Sequence, residues 1–270
     1  MTQTSPYPGG YHVCNFLGNA LIELGADVQY DDERRLGQEG LTVNGVPIVW
    51  FLDNRVPYNR ERQDPVCAEL LKRGECIVLH CQKEDMLRCG GGWMPIAATP
   101  RFAPALDTPT PDWDIAFVGF LNDEHRRNVV MNAAQKFSFL HGVGVFYEDA
   151  AAVYHQAKVG LNVPALYGTE FDYDLNMRTL EIPASGIPMV TAYNPALSEI
   201  GFRSGVNCLT YDNERELHQC VQTLLDDPAL ASDIAQNGYQ LIQNKHTYYH
   251  RAMQVLSMVE QWQTLPRLHS

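Results

Sequence analysis

Two charged side chains at a predicted helix start are the strongest chemical signal in the sequence. Arg178 and Glu181 are three residues apart, so on a helix they lie on one face. The first turn of a helix offers free N–H groups and a partial positive charge, and a guanidinium adds a fixed cation that suits a phosphate. A carboxylate accepts hydrogen bonds from ribose hydroxyls. The pair therefore predicts a site for a nucleoside diphosphate, and the alternative is a surface ion pair worth at most about 1 kcal/mol.

Candidates for catalysis and for further binding contacts lie in the N-terminal third. Asp53 and His80 each end a predicted buried strand, where a general base or a hydroxyl-binding group would be useful. The alternatives are a turn cap for Asp53 and a hydrogen-bonded core residue for His80. Gly9 and Gly10 would let the backbone approach a phosphate, or they form a flexible turn before a helix.

The cysteines favour free thiols over disulfides or a metal site. Seven cysteines are an odd number, and several lie in apolar segments, which is typical of buried thiols in a reducing cytoplasm. A zinc site would draw on Cys76, His80, Cys81 and Cys89. No Cys-x-x-Cys pair occurs there, and part of this run alternates as a strand does, so we predict no metal site.

Alternating helices and strands must position these residues. The pattern predicts strands at 26–30, 46–52, 76–79, 93–97, 114–119, 159–163, 188–191 and 207–209. It predicts helices over 13–24, from a start at Asp64-Pro65 to Gly74, through 129–134, 178–185 and 217–225, and after Thr247. Such alternation is typical of α/β lobes with mostly parallel sheets.

A joint divides the alternation into two lobes. Pro100, Pro104, Pro109 and Pro111 fall close together in a stretch without periodicity, which indicates a linker. Ligands gather at the carboxyl ends of parallel strands, and a two-lobed protein also offers the cleft between its lobes. We therefore expect the functional site at strand ends that face this cleft.

Composition and charge exclude several other classes. The chain has 270 residues, of which 45% are hydrophobic and 19% charged, so it is not a disordered chain. Its net charge of −12 repels polyanions, which argues against nucleic-acid binding through overall charge. We find neither an apolar run that could cross a bilayer nor a signal peptide, and we expect a cytoplasmic protein.

The segment 175–191, LNMRTLEIPASGIPMVT, resembles the donor-binding signature of group 1 glycosyltransferases. It is most similar to the branch related to spore-maturation glycosyltransferases, in which Asn-x-Arg precedes the Glu. The pattern is matched in order by Asn176, Arg178, Glu181, Gly186 and Pro188. The resemblance covers about residues 112–255 and includes the strand 114–119 and the pair Arg126-Arg127.

The resemblance implies an α/β protein with two Rossmann-like lobes of the GT-B type, a reduced N-terminal lobe and a cleft between the lobes. It implies an acceptor lobe at 1–108, a nucleotide-sugar lobe at 109–250, and a C-terminal helix at 251–270 that packs back on the first lobe. The implied activity is metal-independent, retaining transfer of a sugar from a nucleotide-sugar, with no resident cofactor. The donor contacts are then assigned to Gly9, Gly10, Gly119, Arg126, Asn176, Arg178, Glu181 and Gly186.

Two departures from the family pattern keep alternatives open. The first of the family's two acidic residues is not assigned by spacing. Glu170, Asp172 and Asp174 are candidates, or the role is absent and the stretch is an acidic, solvated loop. The hydrophobic strand that normally opens the family is missing or reduced. A non-catalytic nucleotide-sugar or glycan binding module therefore remains an alternative, as does a sugar-nucleotide epimerase. The acceptor is a glycan, a lipid-linked sugar, a protein, a small molecule or a modified nucleobase.

Overall fold

The computed structural model describes residues 10–30, 38–52, 57–105, 110–146, 148–164 and 175–264. The chain divides into two compact units. The first comprises Met1–Ile96 and Tyr248–Ser270, and the second is Ala97–Thr247. Residues 97–108, which the sequence analysis assigned to the first lobe, thus fall in the second unit.

The first unit is built on a mixed five-stranded sheet. Its elements before the second unit are α1 (Gly10–Glu23), β1 (Val28–Tyr30), β2 (Gln38–Val43), β3 (Val46–Phe51), α2 (Pro57–Arg73), β4 (Ile77–His80), α3 (Lys83–Cys89) and β5 (Gly92–Trp93). The strand order is β1-β2-β3-β4-β5. β1, β2 and β3 pair antiparallel, whereas β3, β4 and β5 pair parallel. The prediction of a mostly parallel sheet is therefore wrong for this unit.

A two-residue hairpin explains the antiparallel part. Val43 pairs with Val46, and the two residues between them, Asn44 and Gly45, have φ of 48° and 78°. Positive φ at both positions is the type I′ turn that Asn-Gly favours, and its twist matches that of paired strands. The sequence analysis overlooked this signal and therefore missed β2.

The start of α2 corrects a second expectation. The helix begins at Pro57, and Pro65 lies inside it, so the predicted start at Asp64-Pro65 is wrong. The Asp64 carboxylate accepts hydrogen bonds from the Arg88 guanidinium at 3.1 and 3.4 Å. A proline inside a helix removes one backbone hydrogen bond, but α2 continues on both sides of Pro65.

The second unit carries a wholly parallel sheet. Its elements are β6 (Trp113–Val118), α4 (Glu124–Lys136), β7 (Phe139–Gly142), α5 (Glu148–Tyr154), β8 (Ala157–Asn162), α6 (Arg178–Ala184), β9 (Met189–Ala192), α7 (Pro195–Glu199), β10 (Leu209–Tyr211), α8 (Glu214–Asp226) and α9 (Pro228–Lys245). The strand order is β10-β9-β8-β6-β7. Every neighbouring pair is parallel, which confirms the prediction for this unit.

Parallel pairing brings the carboxyl ends of these strands to one edge. The core beneath that edge is apolar and includes Ile115, Phe117, Val159, Leu161 and Val190, each fully buried. Since backbone groups beyond the last paired residue lack strand partners, this edge is where polar ligands find free hydrogen-bonding groups.

The last helix, α10 (Tyr248–Thr264), belongs to the first unit. It packs against α1, and the Tyr248 ring stacks on Phe16 with centroids 5.6 Å apart. Arg251 is buried in this helix and donates to the carbonyl oxygens of Pro95 and Ile96 at 2.7 and 3.3 Å. Within the described ranges, no helix combines the length and apolar character needed to cross a membrane.

Candidate functional site

Arg178 lies at the carboxyl edge of the parallel sheet. It is the first residue of α6, and its Nη1 and Nη2 atoms donate to the carbonyl oxygens of Val118 and Val163, each at 3.2 Å. Its Nε donates to Asn162 Oδ1 at 3.2 Å, and its Cζ lies 5.2 Å from the centre of the Phe117 ring. Among the described residues, no carboxylate forms an ion pair with it. Neutral acceptors thus hold the guanidinium in place and leave its charge available to an anion.

Arg126 brings a second guanidinium to the same place. It lies in the first turn of α4, and its Nε donates to the Val163 carbonyl oxygen at 3.0 Å. That is the oxygen which also accepts from Arg178 Nη2. Arg127 is exposed and donates to the Leu121 carbonyl oxygen at 3.4 Å instead. Two guanidinium groups that share one acceptor concentrate positive charge at this point of the edge.

Gly119 makes room for this arrangement. It follows β6 directly and has a φ of +147°, which side-chain-bearing residues rarely adopt. A Cβ at this position would lie 2.8 Å from Arg178 Nη1 and 3.3 Å from the Phe117 ring. The absence of a side chain therefore lets the strand end and the guanidinium lie in contact.

Glu181 lies one helical turn after Arg178 and is half-buried. Within the part of the chain that the structure describes, its carboxylate makes neither an ion pair nor a hydrogen bond, so the Arg178–Glu181 ion pair left open by the sequence does not form. Burial raises the pKa of Glu181 to about 7, although the nearby charge of Arg178 acts in the opposite direction. An unpaired carboxylate of this kind is an acceptor ready for hydroxyl groups.

Two further residues of the signature, Asn176 and Gly186, lie at opposite ends of α6. Oδ1 of the buried Asn176 side chain accepts a hydrogen bond from the Thr179 backbone N–H at 3.3 Å, and its Nδ2 has no partner among the described residues. Gly186 follows the far end of the helix with a φ of +75°, where a Cβ would lie 2.8 Å from Pro104 Cγ. Gly186 therefore serves the turn into β9 at the amino edge of the sheet, and a donor contact there stays a prediction.

His80 is a core residue of the first unit. It is fully buried, its ring stacks on Phe51 with centroids 5.1 Å apart, and its Nε2 lies 3.5 Å from Cys67 Sγ. Burial lowers the pKa of His80 to about 4, so the ring is neutral. A catalytic role for it stays a prediction that this placement does not support.

The structure describes only one of the remaining N-terminal and acidic candidates. Gly10 is the first residue of α1, while Asp53 and Gly9 lie outside the described residues, as do Glu170, Asp172 and Asp174. In the described parts of the chain, no three His, Cys, Asp or Glu side chains are grouped so that they could hold a metal ion.

Sequence reasoning missed Asn162, the last residue of β8. Its side chain is buried and bonds Arg178, Thr179 and Thr191. The signal was present in the sequence, because a lone amide that ends an apolar strand needs buried hydrogen-bond partners.

Comparison with known proteins identifies the family and the fold of this chain. A family model described as glycosyl transferase-like matches residues 110–257. Sucrose-phosphate synthase from Thermosynechococcus elongatus superposes with a TM-score of 0.57 at 17% identity, over 74% of this chain and 61% of that one. HepE from Anabaena, in complex with UDP and glucose, gives a TM-score of 0.54 at 11% identity, over 79% and 71% of the two chains.

A third solved structure is also similar to this chain over most of its length. A point mutant of TarM from S. aureus, in complex with fondaparinux, α-GlcNAc-glycerol and UDP, gives a TM-score of 0.53 at 10% identity. It matches over 80% of this chain and 50% of its own length, so the chain spans only about half of that protein. No curated protein sequence matches significantly. The family match covers more than half of the 270 residues, and the chain therefore belongs to the glycosyl transferase-like family and has the two-unit α/β fold of GT-B glycosyltransferases.

Proposed function

We propose that this protein transfers a sugar from a nucleotide-sugar donor to an acceptor hydroxyl. The observation that carries the proposal is the guanidinium of Arg178, held by neutral acceptors beside Arg126 at the carboxyl edge of the parallel sheet. A diphosphate is the anion that two adjacent guanidinium groups suit best, because each binds phosphate oxygens through fixed N–H pairs.

The carboxylate of Glu181 supplies the second half of donor recognition. It is half-buried, makes no hydrogen bond to the described residues and lies one turn from Arg178. Ribose hydroxyls are the donors that would use it. Arg178 would then bind the diphosphate and Glu181 the ribose, from positions one turn apart on α6.

Charge neutralisation is the catalytic contribution of this site. As the bond from the sugar carbon to the diphosphate breaks, the leaving group takes both electrons and gains negative charge. Arg178 and Arg126 stabilise that charge from fixed positions, which lowers the barrier in the way that preorganised donors do. We propose that this replaces a metal ion and that the anomeric configuration is retained, as the family resemblance implies.

Further details of the proposal rest on the sequence. The order Asn176, Arg178, Glu181 supports the spore-maturation-type branch of the family. The seven free cysteines support a reducing, cytoplasmic compartment. HepE and TarM are described in complex with UDP, so UDP-sugars are the first donors to test.

The test is a donor screen. We expect one of the UDP-, GDP-, ADP- or dTDP-sugars to bind and to be hydrolysed slowly or transferred, with release of the nucleoside diphosphate measured by chromatography. The Arg178→Gln variant is the matched control and should release far less. The proposal fails if none of these donors binds at millimolar concentration.

One observation favours a second candidate, a non-catalytic nucleotide-sugar binding module. Of the two catalytic residues that the sequence suggested, His80 is fully buried in the core of the first unit. Binding of a donor without turnover, tested across oligosaccharide, lipid-linked and peptide acceptors and with water alone, would favour this candidate. Conversion of the free donor into an epimer would instead indicate the epimerase alternative.

A further inference from the structure

We propose that Asn162 is a positioning residue that aims the charged group of Arg178 at the donor diphosphate. The inference rests on the proposed function and assigns a role to a residue that never needs to touch the donor. Asn162 ends β8, and its Oδ1 accepts a hydrogen bond from Arg178 Nε at 3.2 Å. The guanidinium is thereby fixed at a third point, in addition to the carbonyl oxygens of Val118 and Val163.

The orientation of the amide is determined by its partners. Asn162 Nδ2 donates to Thr179 Oγ1 and to Thr191 Oγ1, each at 3.1 Å. A guanidinium is only a donor, so the oxygen of the amide must face Arg178 and the nitrogen must face the two hydroxyls. Both N–H groups and the oxygen of the side chain are then used.

The network is buried and anchored on three elements. Asn162, Thr179 and Thr191 are each at most 2% exposed, so water does not compete for their hydrogen bonds. Asn162 pairs with Thr191 across β8 and β9, and Thr179 belongs to α6. The amide therefore ties the start of α6, which carries Arg178, to the central strands of the sheet.

The Asn162 amide is uncharged, and this property matters for binding of the diphosphate. A carboxylate at this position would also hold Arg178, but it would form an ion pair with it and cancel the charge that the diphosphate needs. An apolar residue would keep the charge but release the guanidinium from its third partner. Asparagine alone among these types both fixes the group and leaves it cationic.

The test compares a nucleoside diphosphate with its nucleoside. Calorimetry on the full chain would measure binding of UDP and uridine, or of GDP, ADP or dTDP with its nucleoside if one of these binds better. We expect Asn162→Leu, which releases the guanidinium, and Asn162→Asp, which holds it but pairs with its charge, each to weaken binding of the diphosphate about tenfold or more and to leave binding of the nucleoside unchanged. The matched control is Asn237→Asp, an exposed amide on α9, which should change neither.

A double-mutant cycle separates positioning from a structural role. In an Arg178→Gln background, Asn162→Leu should no longer weaken diphosphate binding, because the guanidinium that Asn162 positions is already absent. A merely structural residue would lower the melting temperature and weaken both ligands in equal proportion, and that result would overturn the inference. Failure of the wild-type protein to bind any of the four diphosphates would instead overturn the proposed function and this inference together.

Discussion

Two strand ends in this molecule carry chemically capable residues, and they differ in what surrounds those residues. His80 ends β4 of the first unit, between the ring of Phe51 and the sulfur of Cys67. Arg178 reaches the ends of β6 and β8 of the second unit, where backbone carbonyl oxygens and the Asn162 amide receive it. Both places are carboxyl ends of parallel strands, which is where α/β proteins build their sites.

The difference shows that a strand end can carry a charged group only if its neighbours stabilise charge. Burial removes the water that would stabilise an imidazolium, so the pKa of His80 falls to about 4 and the ring packs as a neutral core residue. Carbonyl oxygens accept hydrogen bonds from a cation without cancelling its charge, and the Arg178 side chain is half-buried among them. His80 and Arg178 lie at equivalent positions of their sheets, and the burial of each residue and the hydrogen-bond acceptors around it account for the difference between them.

The largest effect should come from removing the charge of Arg178. We expect Arg178→Gln to weaken binding of the best nucleoside diphosphate by about 10- to 100-fold, since a charge-assisted hydrogen bond contributes more than a neutral one. His80→Gln, the corresponding change at the other strand end, should leave that affinity within about twofold, because its burial keeps it from any ligand. Calorimetric titration of both variants measures their diphosphate affinities. Equal losses would show that Arg178 contributes no more to diphosphate binding than His80 does.

Crowding the guanidinium should have the next largest effect. In Gly119→Ala the new methyl group would lie 2.8 Å from Arg178 Nη1, so the guanidinium must move, and we expect about a tenfold loss of diphosphate affinity. Gly205→Ala is the matched control, because Gly205 also has a positive φ, of 79°, but a Cβ there meets nothing within 4 Å. Both variants should lose stability through backbone strain. Similar diphosphate affinities in the two variants would refute a special role for the contact.

The titration of Glu181 should produce a smaller, pH-dependent effect. Its carboxylate form accepts hydrogen bonds, so we expect nucleoside binding to weaken as pH falls through about 7, the pKa that burial gives this group. Glu181→Gln should flatten that profile. Because the folded pKa lies above the usual value of 4.5, folding stability from this group declines as pH rises from 4.5 to 7.

The same variant therefore makes a second measurement possible. The melting temperature of Glu181→Gln relative to wild type should be higher at pH 8 than at about pH 4.5, as scanning calorimetry would show. A constant difference across that range would mean that the carboxyl group titrates at an ordinary pKa and is not desolvated.

The smallest effect on ligand binding is expected in the first unit, where the pH-dependent change concerns stability alone. The pKa of His80 is lowered from 6.5 to about 4, so the neutral ring contributes stability above pH 6.5 that is lost as pH falls toward 4. His80→Gln should reduce this acid-induced drop in melting temperature. The check is a series of thermal melts from about pH 4 to about pH 8, and an unchanged acid dependence would show that His80 is not the group responsible.

The sequence predicted one of the two regions far better than the other. In the second unit, apolar strands separated by helices have one regular arrangement, so the parallel sheet and the helix that begins at Arg178 were both predictable. In the first unit, the predicted cap at Asp64 was wrong, and that carboxylate instead binds Arg88, which is 24 residues away. Such a long-range partner leaves no local trace in a single sequence.

The candidate residues were likewise predicted better in the second unit than in the first. The spacing of Arg178 and Glu181 predicted that these two charged residues share a helix. The burial of His80 could not be predicted, because it depends on Phe51 and Cys67 from other elements. Asn162 lay between these cases. Its polarity within an apolar strand was visible, but its partners Thr179 and Thr191 become neighbours only after the strands pair.

The order in which the chain is assembled gives the split first unit a further consequence. Ala97–Thr247 is continuous and can fold as soon as it leaves the ribosome, but α1 must wait for α10, which is made only after that whole stretch. At typical synthesis speeds this delay is on the order of ten seconds. During that interval the apolar face of α1 lacks its partner helix α10.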